Sequence, residues 1–196
     1  MFHWAVAGLT YYKIIVMKSV YLTVFIILWA ITSKGGNEMI AIRNLFYQSI
    51  KISDSADVLR DRLKAINSNS NSELIAYKGM SDLMICYHSY NPYTKYKLFI
   101  SGKKLLEQAI MKDPRNIELR FLRLTVQLNV PPFLGYSSNI NEDKIAIFNG
   151  LKNLNDKDLF VRIYQYTMNA KKISSEEKQQ MQIALSENKY MKQVRF

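Results

Sequence analysis

The four prolines of this chain stand in three places, Asn91-Pro92, Asp113-Pro114 and Val130-Pro131-Pro132, and no other feature constrains its fold as much. Proline has no amide hydrogen, its ring clashes with the turn before it, and the residue ahead of it avoids helical geometry. A helix therefore cannot run through any of these points. Around and between them, apolar residues return every three or four positions, the spacing of one helix face. No stretch alternates apolar and polar residues over five or more positions, so no sheet is expected. The predicted fold is all-α, a set of stacked antiparallel helical hairpins with about eight helices.

The pattern places these helices in order after Asn37. Met39 to Ile50 offers Ile42, Leu45, Phe46 and Ile50. A second helix starts near Ser53, whose hydroxyl is positioned to cap it, and carries Leu59, Leu63 and Ile66. The polar tract Asn67 to Ser72 reads as a loop, and Asn71 or Ser72 then caps a third helix ending at Asn91-Pro92. The fourth runs from about Tyr93 to Lys112 and the fifth from Asn116 to Asn129. The fifth bears two apolar stripes, one with Phe121, Leu124 and Leu128, the other with Leu119, Leu122 and Val126, so it is expected to be buried on two sides. The sixth is expected from Glu142 to Leu154 and the seventh from Asp156 to Ala170. Ser174 and Glu177 form a capping box at the head of the eighth.

Within the fourth helix, Gly102, Leu106 and Ala109, followed by Pro114, are spaced like the second helix of a tetratricopeptide repeat. Small residues at 102 and 109 let a neighbouring helix come close, Leu106 fills the space between them, and Pro114 turns the chain back. Gly79 takes the small-residue role in the preceding helix, but about ten extra residues separate it from Gly102, so the repeat is degenerate. The run from Asn91 through Asp113-Pro114 and Asn116 to Leu124, continuing to Pro131-Pro132-Phe133-Leu134-Gly135-Tyr136, resembles exported proteins of Bacteroidetes-type bacteria whose activity is unassigned. That resemblance covers about residues 74 to 150. It implies a tetratricopeptide-like helical fold and a cell-envelope location, and it transfers no catalytic residue.

The start of the chain bears on the compartment. Val20 to Ile31 is almost wholly apolar and carries no charge, with Lys18 before it and Thr32, Ser33, Gly35 and Gly36 after it. The length suits the core of a secretory signal peptide better than a membrane span of ~20 residues. Residues 1–36 therefore have two readings: a signal peptide starting at Met17 and cleaved between Lys34 and Asn37, or an uncleaved N-terminal membrane anchor. Either delivers one helical domain, residues 37–196, to the periplasm or cell envelope. The chain's 27 basic residues less Lys13, Lys18 and Lys34 leave 24 against 16 acidic ones, a net charge of +8 for that domain.

Composition excludes several chemistries. With one cysteine, Cys86, no internal disulfide can form, and with two histidines besides it no Cys/His metal site can be built. There is no phosphate loop, nucleophile elbow or zinc helix, and no nucleic-acid recognition motif. No cofactor is predicted. The candidate features are three. Tyr87, Tyr90, Tyr93, Tyr96 and Phe99 recur every third residue and either line a groove or pack a helix junction. The apolar loop Pro131 to Tyr136 either displays Phe133 to a partner or tucks it into a gap. The segment Lys95 to Arg123 is rich in cations, including Lys103, Lys104, Arg120 and Arg123, with the two arginines one turn apart and placed to hold a carboxylate or phosphate, or to pair with Glu107 and Glu118. These features predict an exported scaffold that binds an envelope protein or peptide through Arg120, Arg123, Lys103, Lys104, Tyr93, Tyr96 and Phe133, without catalysis. An anionic membrane surface is the other candidate partner. The alternative function is an enzyme or small-molecule-binding domain with a pocket near Asp82, His88 and Tyr90.

Overall fold

The computed structural model describes residues 36–186 and 188–191; the expected leader, with its start at Met17 and its core from Val20 to Ile31, lies outside them. The described residues form eight α-helices and a short 3-10 helix, with no strand among them. Helix α1 spans residues 36–49. It is followed by α2(Ser53–Arg62), α3(Ser72–His88), α4(Pro92–Lys112), α5(Ile117–Asn129), the 3-10 helix η1(Pro132–Leu134), α6(Ile140–Leu151), α7(Lys157–Asn169) and α8(Ser175–Leu185). Contacts divide the chain after Asn44, so residues 36–44 are the described part of a first unit, and the second unit runs from Leu45 onward.

The helix starts are set by short polar side chains that satisfy free amides. Asn71 accepts from Glu73 N, Asn91 from Tyr93 N and Thr94 N, Asn116 from Glu118 N and Leu119 N, and Asp156 from Leu159 N. Pro92 sits in the first turn of α4, where its missing N–H costs nothing. Ser174 and Glu177 form the reciprocal capping box. Three expectations need correction. Helix α2 ends at Arg62, so Leu63 and Ile66 lie beyond it, in a turn closed by the Ile66 N–H donating to the Leu63 carbonyl. Ser53 is already helical: Ile52 is the extended residue before α2 and no side chain caps that helix, because the turn from Gln48 delivers the chain straight into it. Helix α6 begins at Ile140 and ends at Leu151, two residues early at one end and three at the other, since the chain turns away at Gly150 and Leu151. The polar tract after α2 is tied down by two lysines. Lys78 Nζ donates to the carbonyl oxygens of Lys64 and Ile66, and Lys112 Nζ to those of Ser68 and Ser70.

Helices α3 and α4 run antiparallel, as three cross-contacts show: Gly79 with Gly102, Ser101 Oγ donating to Asp82 at 2.6 Å, and Cys86 Sγ to the Lys95 carbonyl at 3.2 Å. Their backbones touch at the glycines. A Cβ on Gly79 would lie 2.7 Å from Gly102 O, and one on Gly102 would lie 2.6 Å from Gly79 O. Both small positions are therefore required by the closeness of the two helices. Leu106 and Ala109 are fully buried beside them. Helix α5 is buried on both sides, with Leu119 and Leu122 as fully enclosed as Phe121 and Leu124. Its Phe121 and Leu128 join Ile147, Phe160, Ile163 and Met181 in a core that holds α5 to α8 together.

An exposed helical Gly→Ala change normally stabilises by about 1 kcal/mol. Here the methyl group would strike backbone, so Gly79→Ala and Gly102→Ala are each expected to lower unfolding free energy by roughly 1–3 kcal/mol in urea titration. A neutral or stabilising result at both positions would contradict the packing described.

Candidate functional site

The cationic segment and the apolar loop meet in one network. Arg123, on α5, is only 4% exposed, and a buried charge of this kind is tolerable only when fully paired. It is paired on two sides. Its Nε donates to Asp143 Oδ2 and its Nη2 to Asp143 Oδ1, both at 2.7 Å, and its Nη1 donates to Glu107 Oε2 at 3.0 Å. Burial opposes the charge, but Asp143 and Glu107 more than offset it and hold the guanidinium above its ordinary pKa. Asp143 also receives Arg120 Nη1 at 3.1 Å, while Arg120 reaches Glu142 and the Pro114 carbonyl as well. The other oxygen of Glu107 accepts from the Tyr136 hydroxyl. Burial, with Glu107 beside it, raises the Tyr136 pKa and keeps the phenol neutral.

This geometry corrects the expectation that Arg120 and Arg123 face a partner. Their spacing does suit a carboxylate, but the carboxylates are Asp143 and Glu142 of α6, a helix that no local pattern pairs with them. Lys103 is also engaged, with Nζ 4.6 Å from the centre of the Tyr136 ring. Lys104 is exposed.

The network fixes the loop between α5 and α6. Tyr136 is buried against Phe99, ring centres 6.1 Å apart, and anchors one end. Gly135 has φ 59°, a left-handed conformation that other residues resist, and it reverses the chain just before that anchor. On the other side of the turn Phe133 stands 85% exposed. Of the two expectations for Phe133, display holds and tucking in does not; the buried member of the loop is Tyr136, which packs against α4.

Phe133 and Leu134 border an open groove of about 870 Å³. Its floor is Met80, Leu83 and Met84 of α3, with Phe99 of α4 and Val126 of α5. Phe46, Tyr47 and Ile50 close it from the end of α1, Tyr87, Lys95 and Tyr96 from the junction of α3 and α4, and Tyr166 from α7. Among the described residues, Lys95 is the single charged one in this wall and no carboxylate lines it. The tyrosine series is divided between two roles: Phe99 is buried, whereas Tyr87, Tyr93 and Tyr96 are well exposed and Tyr90 is 99% exposed. Tyr93 borders no part of the groove wall. Cys86 is half-buried in the same wall, and burial raises its thiol pKa against the opposing pull of Lys95. Sequence periodicity could find the aromatics but not Met80, Met84 and Val126, which look like ordinary core positions.

Asp82, His88 and Tyr90 do not converge. Asp82 pairs with Arg60 at 3.0 Å and accepts from Ser101, while the ring Nε2 of His88 lies 2.6 Å from the Ser49 carbonyl oxygen. Tyr90 stands in solvent. Among the described residues no three His, Cys, Asp or Glu side chains are grouped as metal ligands would be. No protein-family model, curated protein or solved structure matches this chain.

Removing one partner of a buried pair leaves the other charge uncompensated, so Asp143→Asn is expected to cost roughly 3–5 kcal/mol. Arg123→Ala should cost a similar amount, and the double variant much less than the sum of the two. Additive losses would show that the two side chains act independently. Acid should weaken the same region. Asn139 and Arg120 lower the pKa of Glu142, and Lys144 lowers that of Glu177 despite its burial. A depressed carboxylate pKa gives stability that is present above the unfolded value, about 4.3, and is lost as pH falls through the folded one. Melting temperature should therefore hold from neutral pH to about 5 and decline below about 4.3, with a shallower decline in Glu142→Gln.

Proposed function

We propose that this chain is an exported helical scaffold of tetratricopeptide-like architecture that holds a segment of another envelope protein in the groove beneath Phe133. The observation that carries the reading is the groove's make-up. It is an open, apolar channel within the ~300–1,000 Å³ range of binding sites, walled by residues from α1, α3, α4, α5 and α7 and carrying one charge among the described residues. The wall takes Pro92, Lys95, Tyr96 and Phe99 from α4 as well as residues of α3, α5 and α7, so the groove opens across the α3/α4 pair and the helices beside it. The close α3/α4 contact through Gly79 and Gly102 supports the tetratricopeptide-like architecture. The proposed export rests on the sequence from Lys18 to Gly36.

An extended or helical peptide bearing two or three large apolar side chains suits such a channel. Met80, Met84 and Leu83 form a floor of flexible side chains that can adapt to different shapes. The alternative, an enzyme or small-molecule domain acting through Asp82, His88 and Tyr90, has less support, because those side chains are directed at α2 and α4, at the end of α1 and at water.

The test is retention of partners from envelope extract by the full chain and by two groove variants, at low and high salt. Met84→Asp places a charge in the channel and Phe133→Ser removes its displayed edge, both at positions outside the fully buried core. A partner retained by the wild-type chain at both salt concentrations should be lost with Met84→Asp and reduced several-fold with Phe133→Ser, at unchanged melting temperature. Equal retention by all three proteins, or by none, would rule out the groove as the binding site.

A further inference from the structure

Beyond the groove, the exposed ring of side chains around its mouth has a composition of its own. Three turns come together there. The end of α1 is joined to the end of α3 where the His88 ring meets the Ser49 carbonyl, the end of α3 is joined to the start of α4 by Cys86 and Lys95, and Ile50, Tyr87, Tyr96 and Phe133 border one opening. On these turns Tyr90, Phe133 and Tyr93 are 99%, 85% and 75% exposed, and Tyr87, Tyr96 and Ile52 are each more than half exposed. So many large apolar groups in one place mark a surface that meets something other than water. On the same turns and the start of α4 stand three exposed lysines, Lys51, Lys95 and Lys97. From Leu83 to Leu106 there is no acidic residue. The carboxylates nearest in sequence to the other two turns are Asp54, in the first turn of α2, and Glu142, which Arg120 and Asn139 already hold.

We infer that this face rests on an anionic lipid bilayer. Two features distinguish that partner from a protein. The aromatic residues are tyrosines with one phenylalanine, and a tyrosine ring with an outward hydroxyl suits the boundary between headgroups and acyl chains. The cations are lysines on flexible stems, with no arginine among them; protein interfaces are enriched in arginine and depleted in lysine, whereas lysine close to a membrane gains from the negative surface potential without needing a fixed geometry. Phe133, held out on a loop pinned at Tyr136, is the side chain placed to enter the acyl region. The inference does not depend on what the groove holds, although an occupied membrane face would turn the groove's mouth toward the lipid.

The experiment uses the full chain in a Cys86→Ser background with one introduced cysteine, Tyr90→Cys at the proposed face or Ser68→Cys at the opposite end. Ser68 lies beside Lys112, at the far end of α4, about 30 Å from Tyr93 by helix rise. Each cysteine carries an environment-sensitive nitrobenzoxadiazole dye. Vesicles of equimolar phosphatidylcholine and phosphatidylglycerol should shift the Tyr90→Cys emission to the blue and raise it several-fold, leaving Ser68→Cys unchanged. Pure phosphatidylcholine should give a much smaller response. Replacing Lys95 and Lys97 by Gln should weaken partitioning by roughly 25-fold, about fivefold for each lysine, and salt of about 1 M should have a comparable effect. An equal response at both dye positions would assign membrane contact to the N-terminal apolar segment, and no response at either, or no preference for the anionic lipid, would refute contact through this face. Any of these three results overturns the inference while leaving the groove reading as it stood.

Discussion

The buried guanidinium of Arg123 is the constraint on which the middle of this molecule depends. A charge taken out of water must be matched where it lies, and Arg123 draws together Glu107 of α4, Asp143 of α6 and, through Glu107, the hydroxyl of Tyr136 in the loop between α5 and α6. One side chain thus sets the spacing of three helices and the position of a loop. Apolar packing alone would hold α4, α5 and α6 together but would tolerate sliding between them; hydrogen bonds to one rigid, planar cation do not.

This constraint imposes a division of labour within a short loop. Tyr136 is spent on the interior, and Gly135, with its left-handed backbone, lets the chain double back so that Phe133 faces out. The groove wall that Phe133 and Leu134 supply is therefore held indirectly by charges lying behind it. At the floor, the glycine contact between α3 and α4 leaves no room for adjustment, so Met80, Leu83 and Met84 are presented on a firm backbone. The groove thus combines a loop edge held by buried charges with a floor of flexible side chains on a closely packed helix pair.

Much of the fold was legible in the residues themselves. Proline positions, Asn and Ser caps and apolar spacing locate all eight described helices, and Gly79, Gly102 and Ala109 announce the close approach of α3 and α4. Helix ends were less legible where no proline or cap marks them, as at the two ends of α6. The site was legible only in part. The aromatic series and Phe133 stood out, but the spacing of Arg120 and Arg123 says only that both can face one acidic group. Whether that group belongs to a partner or to the chain depends on which helix folds against α5, a long-range fact that local pattern does not contain. Glu107 was visible as a neighbour in the fourth helix, whereas nothing in the local pattern singles out Asp143, in the first turn of α6.

The central claim, that Arg123 is a buried tie rather than a surface cation, is tested most directly by nuclear magnetic resonance of its side chain. The Arg123 Nε–H, hydrogen-bonded to Asp143 and shielded from water, should give a resolved signal whose exchange with solvent is orders of magnitude slower than that of exposed arginines such as Arg115. The same spectra should show the ring of Tyr136 in contact with that of Phe99. An Arg123 Nε–H exchanging as fast as that of Arg115, with no Tyr136 to Phe99 contact, would contradict the account.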